Sequence, residues 1–238
     1  MIESLTNSKI KYAAKLKQKK YRTEYGQFLV EGEHLVTEAI KSGHIDCLFS
    51  TETDIYEGIE TYLVTNEVFN KLSDLNSKHG IIAICNKPDN KELSDRILIL
   101  DGIQDPGNMG TLVRTAAAFG FNTIIAEDSV DFYNEKVIRS SQGALFYINI
   151  MDKEIDEFIK THIEYHYFGT DVLTGKDIRD IDFNEERLAI ILGNEGNGVR
   201  DSIKGLVNTN INIPMINTES LNVGIAGGII MFEVFKEK

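Results

Sequence analysis

The sequence predicts an α/β protein, with a parallel sheet in its C-terminal part and a small α/β unit ahead of it. Three observations carry that expectation. Short apolar runs alternate with helical stretches. The runs of the second part are apolar on both faces. A polar break at 86–94 interrupts the pattern and holds Pro88, one of only 3 prolines. Strands buried on both faces and alternating with helices belong to parallel sheets covered on both sides. The break divides the chain into an expected first domain, 1–92, and a second, 93–238.

Ahead of the break, 28–30, 47–49, 62–64 and 81–85 read as strands. Between them, 33–41 and 67–75 read as helices, the latter with Val68, Leu72 and Leu75 on one face. Beyond it, 97–100, 123–126, 147–150, 167–169, 188–192 and 210–213 read as strands. The helices there are expected at 110–119, 135–142, 153–162, 199–207 and 221–235. In such sheets ligands bind beyond the carboxyl ends of the strands, so those ends are where chemistry is sought.

Composition narrows the class. A hydrophobic fraction of 42% with mixed charge is that of a globular chain. The apolar runs fall far short of the ~20 residues that span a bilayer, and the N-terminus is lysine-rich rather than apolar. A soluble, cytoplasmic protein is expected. Cys47 and Cys85 are the only cysteines and suggest neither a metal cluster nor a disulfide framework; both are expected to be buried thiols. The net charge of −12 argues against a uniformly basic surface. Yet residues 1–23 hold Lys9, Lys11, Lys15, Lys17, Lys19, Lys20 and Arg22 against the single acid Glu3. Such a segment either binds phosphates electrostatically or is a solvated helix face.

Three segments carry the chemistry. In the first, 101–110, a loop rich in glycine and polar residues leads from a strand into a helix, with Asn108 as the expected cap and Gly120 as the expected stop. On that helix Thr111, Arg114 and Ala118 share a stripe, and Arg114 is a lone charge among apolar neighbours, fitting either function or a snorkelling side chain or structural ion pair. The second, 193–199, places Gly193, Gly196 and Gly198 around Glu195 at a strand end, where backbone amides can approach a ligand closely. It matches neither the dinucleotide fingerprint nor a phosphate loop, which weighs against nucleotide hydrolysis. In the third, 213–228, Ser220 is the expected cap of a helix carrying Gly224, Gly227 and Gly228 on one face. Interior helix glycines cost about 1 kcal/mol each relative to alanine, so another backbone or a ligand is expected to pack closely there.

In this order the three segments resemble the motifs of the SpoU (TrmH-like) family of RNA 2′-O-ribose methyltransferases, within the SPOUT superfamily, and most of all members acting on 23S rRNA. The first ninety or so residues, with 28–32, resemble that family's small substrate-binding domain. The resemblance implies a second domain threaded into a deep trefoil knot, an S-adenosylmethionine pocket within it, and a homodimer through the knotted region. It implies catalytic positions at Asn108, Arg114, Glu195, Ser220 and Asn222, and contacts to the methyl donor from Gly193, Ile213 and Leu221. It requires no metal. RNA contacts are expected from Lys9, Lys11, Lys17, Arg22 and Arg139. A guanidinium is protonated up to a pKa above ~12, so orientation and electrostatic stabilisation, rather than base catalysis, are expected of Arg114. The family pattern departs at 215–220, where the loop is one residue shorter than in many relatives and Asn217 replaces a glycine. Two other readings stand beside this one: a non-catalytic RNA-binding or ribosome-assembly factor, and a SPOUT enzyme methylating a base.

Overall fold

The computed structural model describes residues 1–53, 56–74, 80–89 and 91–236. In chain order its elements begin with α1 (Ser8–Lys15), α2 (Lys19–Tyr25), β1 (Gln27–Glu31), α3 (Glu33–Lys41), β2 (Ile45–Ser50), β3 (Thr61–Leu63), α4 (Asn66–Leu72) and β4 (Ile81–Asn86). They continue with β5 (Arg96–Asp101), α5 (Pro106–Ala118), β6 (Thr123–Glu127), α6 (Glu135–Ser141), β7 (Asn149–Asp152), α7 (Ile155–Thr161) and β8 (His166–Thr170). The last are β9 (Lys176–Asp177), β10 (Leu188–Gly193), α8 (Asp201–Lys204), β11 (Thr209–Asn212) and α9 (Val223–Lys236).

Two compact units result: Met1–Asp89 with Asp131–Phe146, and Asn90–Val130 with Tyr147–Lys238. This packing differs from two consecutive segments, 1–92 and 93–238. Residues 131–146 belong with the first unit, where Tyr133 and Phe146 pack on Phe28, with ring centroids 4.7 and 5.9 Å away. The first unit holds a mixed sheet in the order β1-β4-β2-β3; β4 runs antiparallel to both neighbours and β2 parallel to β3. Cys47 and Cys85 are buried free thiols there, and burial pushes the Cys47 thiol up to about 12.

The second unit is a seven-stranded sheet, β7-β6-β5-β10-β8-β11-β9, parallel throughout as the sequence predicts. From β5 the chain lays β6 and β7 outward on one side. It then returns to build β8 on the other side and inserts β10 between β5 and β8. That reversal creates a switch point beside β10, the kind of place where open α/β sheets bind ligands.

Alternate residues serve the two faces of this sheet. Ile97, Ile99, Ala189 and Ile191 pack in one cluster with Phe158, Ile159 and Ile203 of α7 and α8. On the other face α9 lies against α5 and β10. A Cβ on Gly227 would stand 2.5 Å from Leu112 Cδ2 and 2.7 Å from Leu192 Cδ1, and one on Gly224 3.3 Å from Thr111 Cγ2. The glycine face of the last helix thus lets α5 and β10 come close, as its spacing predicts.

Several local expectations are corrected. Asp105, not Asn108, caps α5: its Oδ1 accepts from Asn108 N at 2.7 Å, and Pro106 occupies the first turn, where a missing N–H costs no helical bond. The expected stop at Gly120 holds, with φ +77°. The helix expected at 199–207 shrinks to the single turn α8, and the strand expected at 147–150 starts at Asn149, after a 3₁₀ turn at Ala144–Phe146. The two-residue β9 was too short to read from the sequence. Leu75 of the expected 67–75 helix lies outside the described residues. Among the described residues no helix is long and apolar enough to cross a membrane.

Candidate active site

The loop after β10 is built on close backbone approach. Asn194 and Gly198 exchange backbone hydrogen bonds of 3.1 and 2.8 Å, so Gly193 lies against the returning chain. A Cβ on Gly193 would stand 2.0 Å from Gly198 C and Val199 N, which only glycine avoids. Asn194 stitches the loop shut: its Oδ1 accepts from Gly196 N at 2.9 Å and Asn197 N at 3.2 Å, while its Nδ2 donates to Gly102 O at 2.7 Å.

This loop presents Glu195 to the segment between β5 and α5. Its carboxylate accepts from Gln104 N at 3.2 Å, Asp105 N at 3.1 Å and Asn108 Nδ2 at 3.1 Å. Asn108 Oδ1 in turn accepts from Asn222 Nδ2 at 2.8 Å. Asn222 Oδ1 accepts from Gly224 N at 2.9 Å and Ile225 N at 3.3 Å. Asn222 therefore caps α9 in place of the expected Ser220. One chain of hydrogen bonds, Glu195 to Asn108 to Asn222, joins all three segments that the sequence singles out. Burial pushes the Glu195 carboxyl up, but the Asn108 amide and the backbone N–H groups outweigh it and hold the group below the usual value. At neutral pH it is an ionised acceptor.

Beside it, beyond the ends of β8, β10 and β11, lies a cavity of 270 Å³. Gly193, Ile213 and Leu221 all line it, together with Glu195 and Ser220, and Leu192, Val223, Ala226 and Ile230 give it apolar walls. Asp171, Lys204 and Asn212 also line it and were missed, because single polar residues at the ends of separate elements leave no spacing pattern. Asp171 is held below the usual carboxylate value chiefly by the Thr174 hydroxyl, 2.7 Å away, with Leu173 N at 3.0 Å and Lys204 Nζ at 3.7 Å. Asn212 Oδ1 is buried without a hydrogen-bond partner among the described residues.

Arg114 stands apart from the cavity lining, on the exposed stripe of α5 formed with Gly107, Thr111 and Ala118. Among the described residues no hydrogen bond or ion pair engages it. The expected RNA contacts lie in the first unit and are not equally available. Arg22 is 5% exposed; its guanidinium grips Asp131 Oδ2 at 2.5 and 3.0 Å and the carbonyls of Leu16 and Lys17 at 2.9 and 2.8 Å. The Arg22 guanidinium, expected to meet RNA, is engaged within the first unit here. Lys17 pairs with Asp74 at 3.0 Å, and Lys9 donates to the Tyr62 hydroxyl. Lys11 is exposed and unpaired among the described residues. Arg139 borders a small recess with Glu31, Asp74 and Glu135.

Two strand ends are tied together near the site. Arg200 bridges Asp101, at the end of β5, and Glu127, at the end of β6, at 2.7 and 2.5 Å. The Arg200 hydrogen bond is the main reason the Glu127 carboxyl sits below its ordinary value. A depressed carboxyl stabilises the fold above the unfolded value of about 4.3 and ceases to as pH falls through the folded one. Arg200→Ala is expected to lower stability by about 1.5–3 kcal/mol near neutral pH. Its deficit relative to wild type should shrink below about pH 4 in urea unfolding. A deficit independent of pH would count against the pairing.

The sequence matches the SpoU rRNA methylase family over residues 95–232 and the MRM3-like substrate binding domain over residues 7–83. It is 35% identical over 244 residues to the 23S rRNA (guanosine(2553)-2'-O)-methyltransferase RlmP of Bacillus subtilis, covering 98% of both chains. The fold is similar to that of an rRNA methyltransferase from Sinorhizobium meliloti, with TM-score 0.88, 27% identity, and 99% of this chain and 96% of that one covered. The AdoMet-bound form of a Sinorhizobium meliloti rRNA methyltransferase gives TM-score 0.87 at 27% identity, covering 99% and 97%.

Proposed function

The chain belongs to the SpoU rRNA methylase family, and from that premise we propose that it transfers a methyl group from S-adenosylmethionine to a ribose 2′-hydroxyl of structured RNA, 23S rRNA being the favoured substrate. The observation that carries the reading to residues is the hydrogen-bonded chain Glu195, Asn108 and Asn222 beside the 270 Å³ cavity.

The cavity suits the donor. Its apolar walls match an uncharged purine, polar side chains such as Asp171 and Asn212 line it beside them, and the orphaned Asn212 Oδ1 leaves one acceptor for a ligand N–H. Gly193, Ile213 and Leu221 are the residues proposed to hold it. The bound donor supplies a methyl made electrophilic by its sulfonium. What remains for the protein is in-line placement of the hydroxyl and care of one proton. Glu195, fixed by three donors, keeps the 104–108 segment in place; Asn108 and Asn222 tie that segment to the start of α9, and Ser220 shapes the rim. Arg114 is proposed to orient the 2′-hydroxyl and its neighbouring phosphate, as a permanent cation suited to bidentate phosphate contact.

Residues 1–92 are proposed as the RNA-recruiting domain and 93–238 as the methyltransferase domain, the latter knotted. A homodimer is the proposed assembly, supported by Ile225, Ile229 and Phe232, exposed apolar residues on one stripe of α9. The proposed place of action is the cytoplasm.

Purified protein with labelled S-adenosylmethionine should transfer label to unmodified 23S rRNA, and digestion with mass spectrometry should recover a 2′-O-methyl nucleoside. A base-methylated product would overturn the ribose assignment. Absence of donor binding, together with unchanged 2′-O-methyl marks in cells lacking the protein, would overturn the enzymatic reading.

A further inference from the structure

The basic N-terminal segment carries more than charge. Tyr12 of α1 and Tyr25 of α2 stack with centroids 5.0 Å apart and planes 20° apart, and Tyr21 stacks on Tyr25 at 5.8 Å and 26°. Tyr25 is the middle ring. Tyr12 and Tyr25 pack against the core of the first unit, and the Tyr12 hydroxyl donates to Gln27 Oε1 at 2.6 Å, so the base of the stack is fixed. Tyr21 is the terminal ring, one helical turn before Tyr25 and half-exposed.

Two lysines lie close to the ring, with Glu24 the one acid of the same helix. Lys15 Nζ lies 5.2 Å and Lys20 Nζ 5.7 Å from the Tyr21 ring centroid. Lys11, Lys15, Lys19 and Lys20 have no ion-pair partner among the described residues, unlike Lys17 and Arg22. No acid occurs from residue 4 to residue 23, in a chain of net charge −12. Lysines alone would attract any polyanion. A preorganised aromatic face among them adds a surface on which an unstacked base is stabilised, whereas a base inside a duplex has no free face to offer.

We propose that Tyr21, backed by Tyr25 and Tyr12 and flanked by Lys15 and Lys20, is a stacking platform for an unpaired nucleobase of the RNA substrate. This rests on the reading of the protein as an RNA-modifying enzyme, and it adds that recognition by the first unit requires a looped or bulged nucleotide. The lysines hold the flanking phosphates and set the salt dependence; the ring distinguishes a loop from a duplex.

The test uses the full chain and two labelled RNAs, a hairpin with an unpaired loop and a blunt duplex of equal length. Tyr21→Ala is expected to weaken hairpin binding roughly 5- to 150-fold, leave duplex binding within about twofold, and leave S-adenosylmethionine binding unchanged. Tyr21→Phe should keep hairpin affinity. Because the chain contains no tryptophan, Tyr21→Trp places a single reporter at the platform, whose emission should be quenched by the hairpin and not by the duplex. Hairpin binding by Tyr21→Ala at wild-type strength, or equal quenching by both RNAs, overturns the platform and leaves the enzymatic reading standing. Failure of the wild type to bind either RNA while it still binds the donor likewise overturns the platform.

Discussion

Replacing Arg114 with alanine is expected to lower kcat about 10²- to 10³-fold while S-adenosylmethionine binds with unchanged affinity. The two halves of this expectation come from separate facts. Arg114 lies outside the cavity lining, so its loss removes no surface proposed to meet the donor. It sits on the exposed stripe of α5 without a hydrogen-bond or ion-pair partner among the described residues. Substitutions at such positions change stability by only about 0.5 kcal/mol or less, so a rate loss cannot be ascribed to a damaged fold. Arg114→Lys retains the positive charge but not the planar fork that meets a phosphate with two parallel bonds, and should recover only part of the rate. Single-turnover transfer to RNA, calorimetric donor binding and urea unfolding, measured on the three proteins, separate these effects. Wild-type turnover by Arg114→Ala would remove the residue from the mechanism.

The second unit was largely legible because its strands are apolar on both faces, a pattern that only a covered parallel sheet produces over so many short runs. Glycine was the second legible signal. Gly193 and Gly227 occur where a side chain would collide with the backbone of the same loop or with Leu112 and Leu192; the sequence marked Gly227 as a point of close packing and Gly193 as one where a ligand, rather than its own loop, comes close. What escaped the sequence depends on distant partners. Arg22 looks like any other residue of a basic segment, and its carboxylate partner, Asp131, lies 109 positions away. The return of residues 131–146 to the first unit carries no local punctuation, since Phe28 meets Tyr133 and Phe146 only in three dimensions. Caps were misassigned within segments rich in good candidates: Asp105 displaced Asn108 and Asn222 displaced Ser220. In both cases the displaced or displacing asparagine belongs to the site, so Asn108 and Asn222 are held by each other and by Glu195 rather than by helix capping alone. The identity of the methyl donor and of the ribose target came from family resemblance; glycine geometry alone indicates a tight pocket without naming its occupant.

Gly193→Ala is expected to destabilise the protein by about 3 kcal/mol or more, the upper end of overpacking effects, and to abolish measurable donor binding in the fraction that remains folded. The added methyl would stand 2.0 Å from Gly198 C and Val199 N and 2.3 Å from Gly198 O. All three are backbone atoms, so no rotamer change relieves the clash. Relief requires the 194–198 loop to move away, which breaks the paired Asn194 and Gly198 hydrogen bonds of 3.1 and 2.8 Å. The same movement withdraws Glu195 from Gln104, Asp105 and Asn108, so cavity and hydrogen-bonded chain fail together. Gly196→Ala, in the same loop, is the matched control: its Cβ would meet only Asn194 Oδ1, at an ordinary 3.5 Å, and should change stability by about 0.5 kcal/mol or less. Urea midpoints at constant m report the first effect, and calorimetric titration with S-adenosylmethionine the second. Equal midpoints and equal donor affinity for the two variants would mean that the close approach at Gly193 does not shape this pocket. A lower midpoint with intact donor affinity would limit the glycine to folding and free the pocket from it.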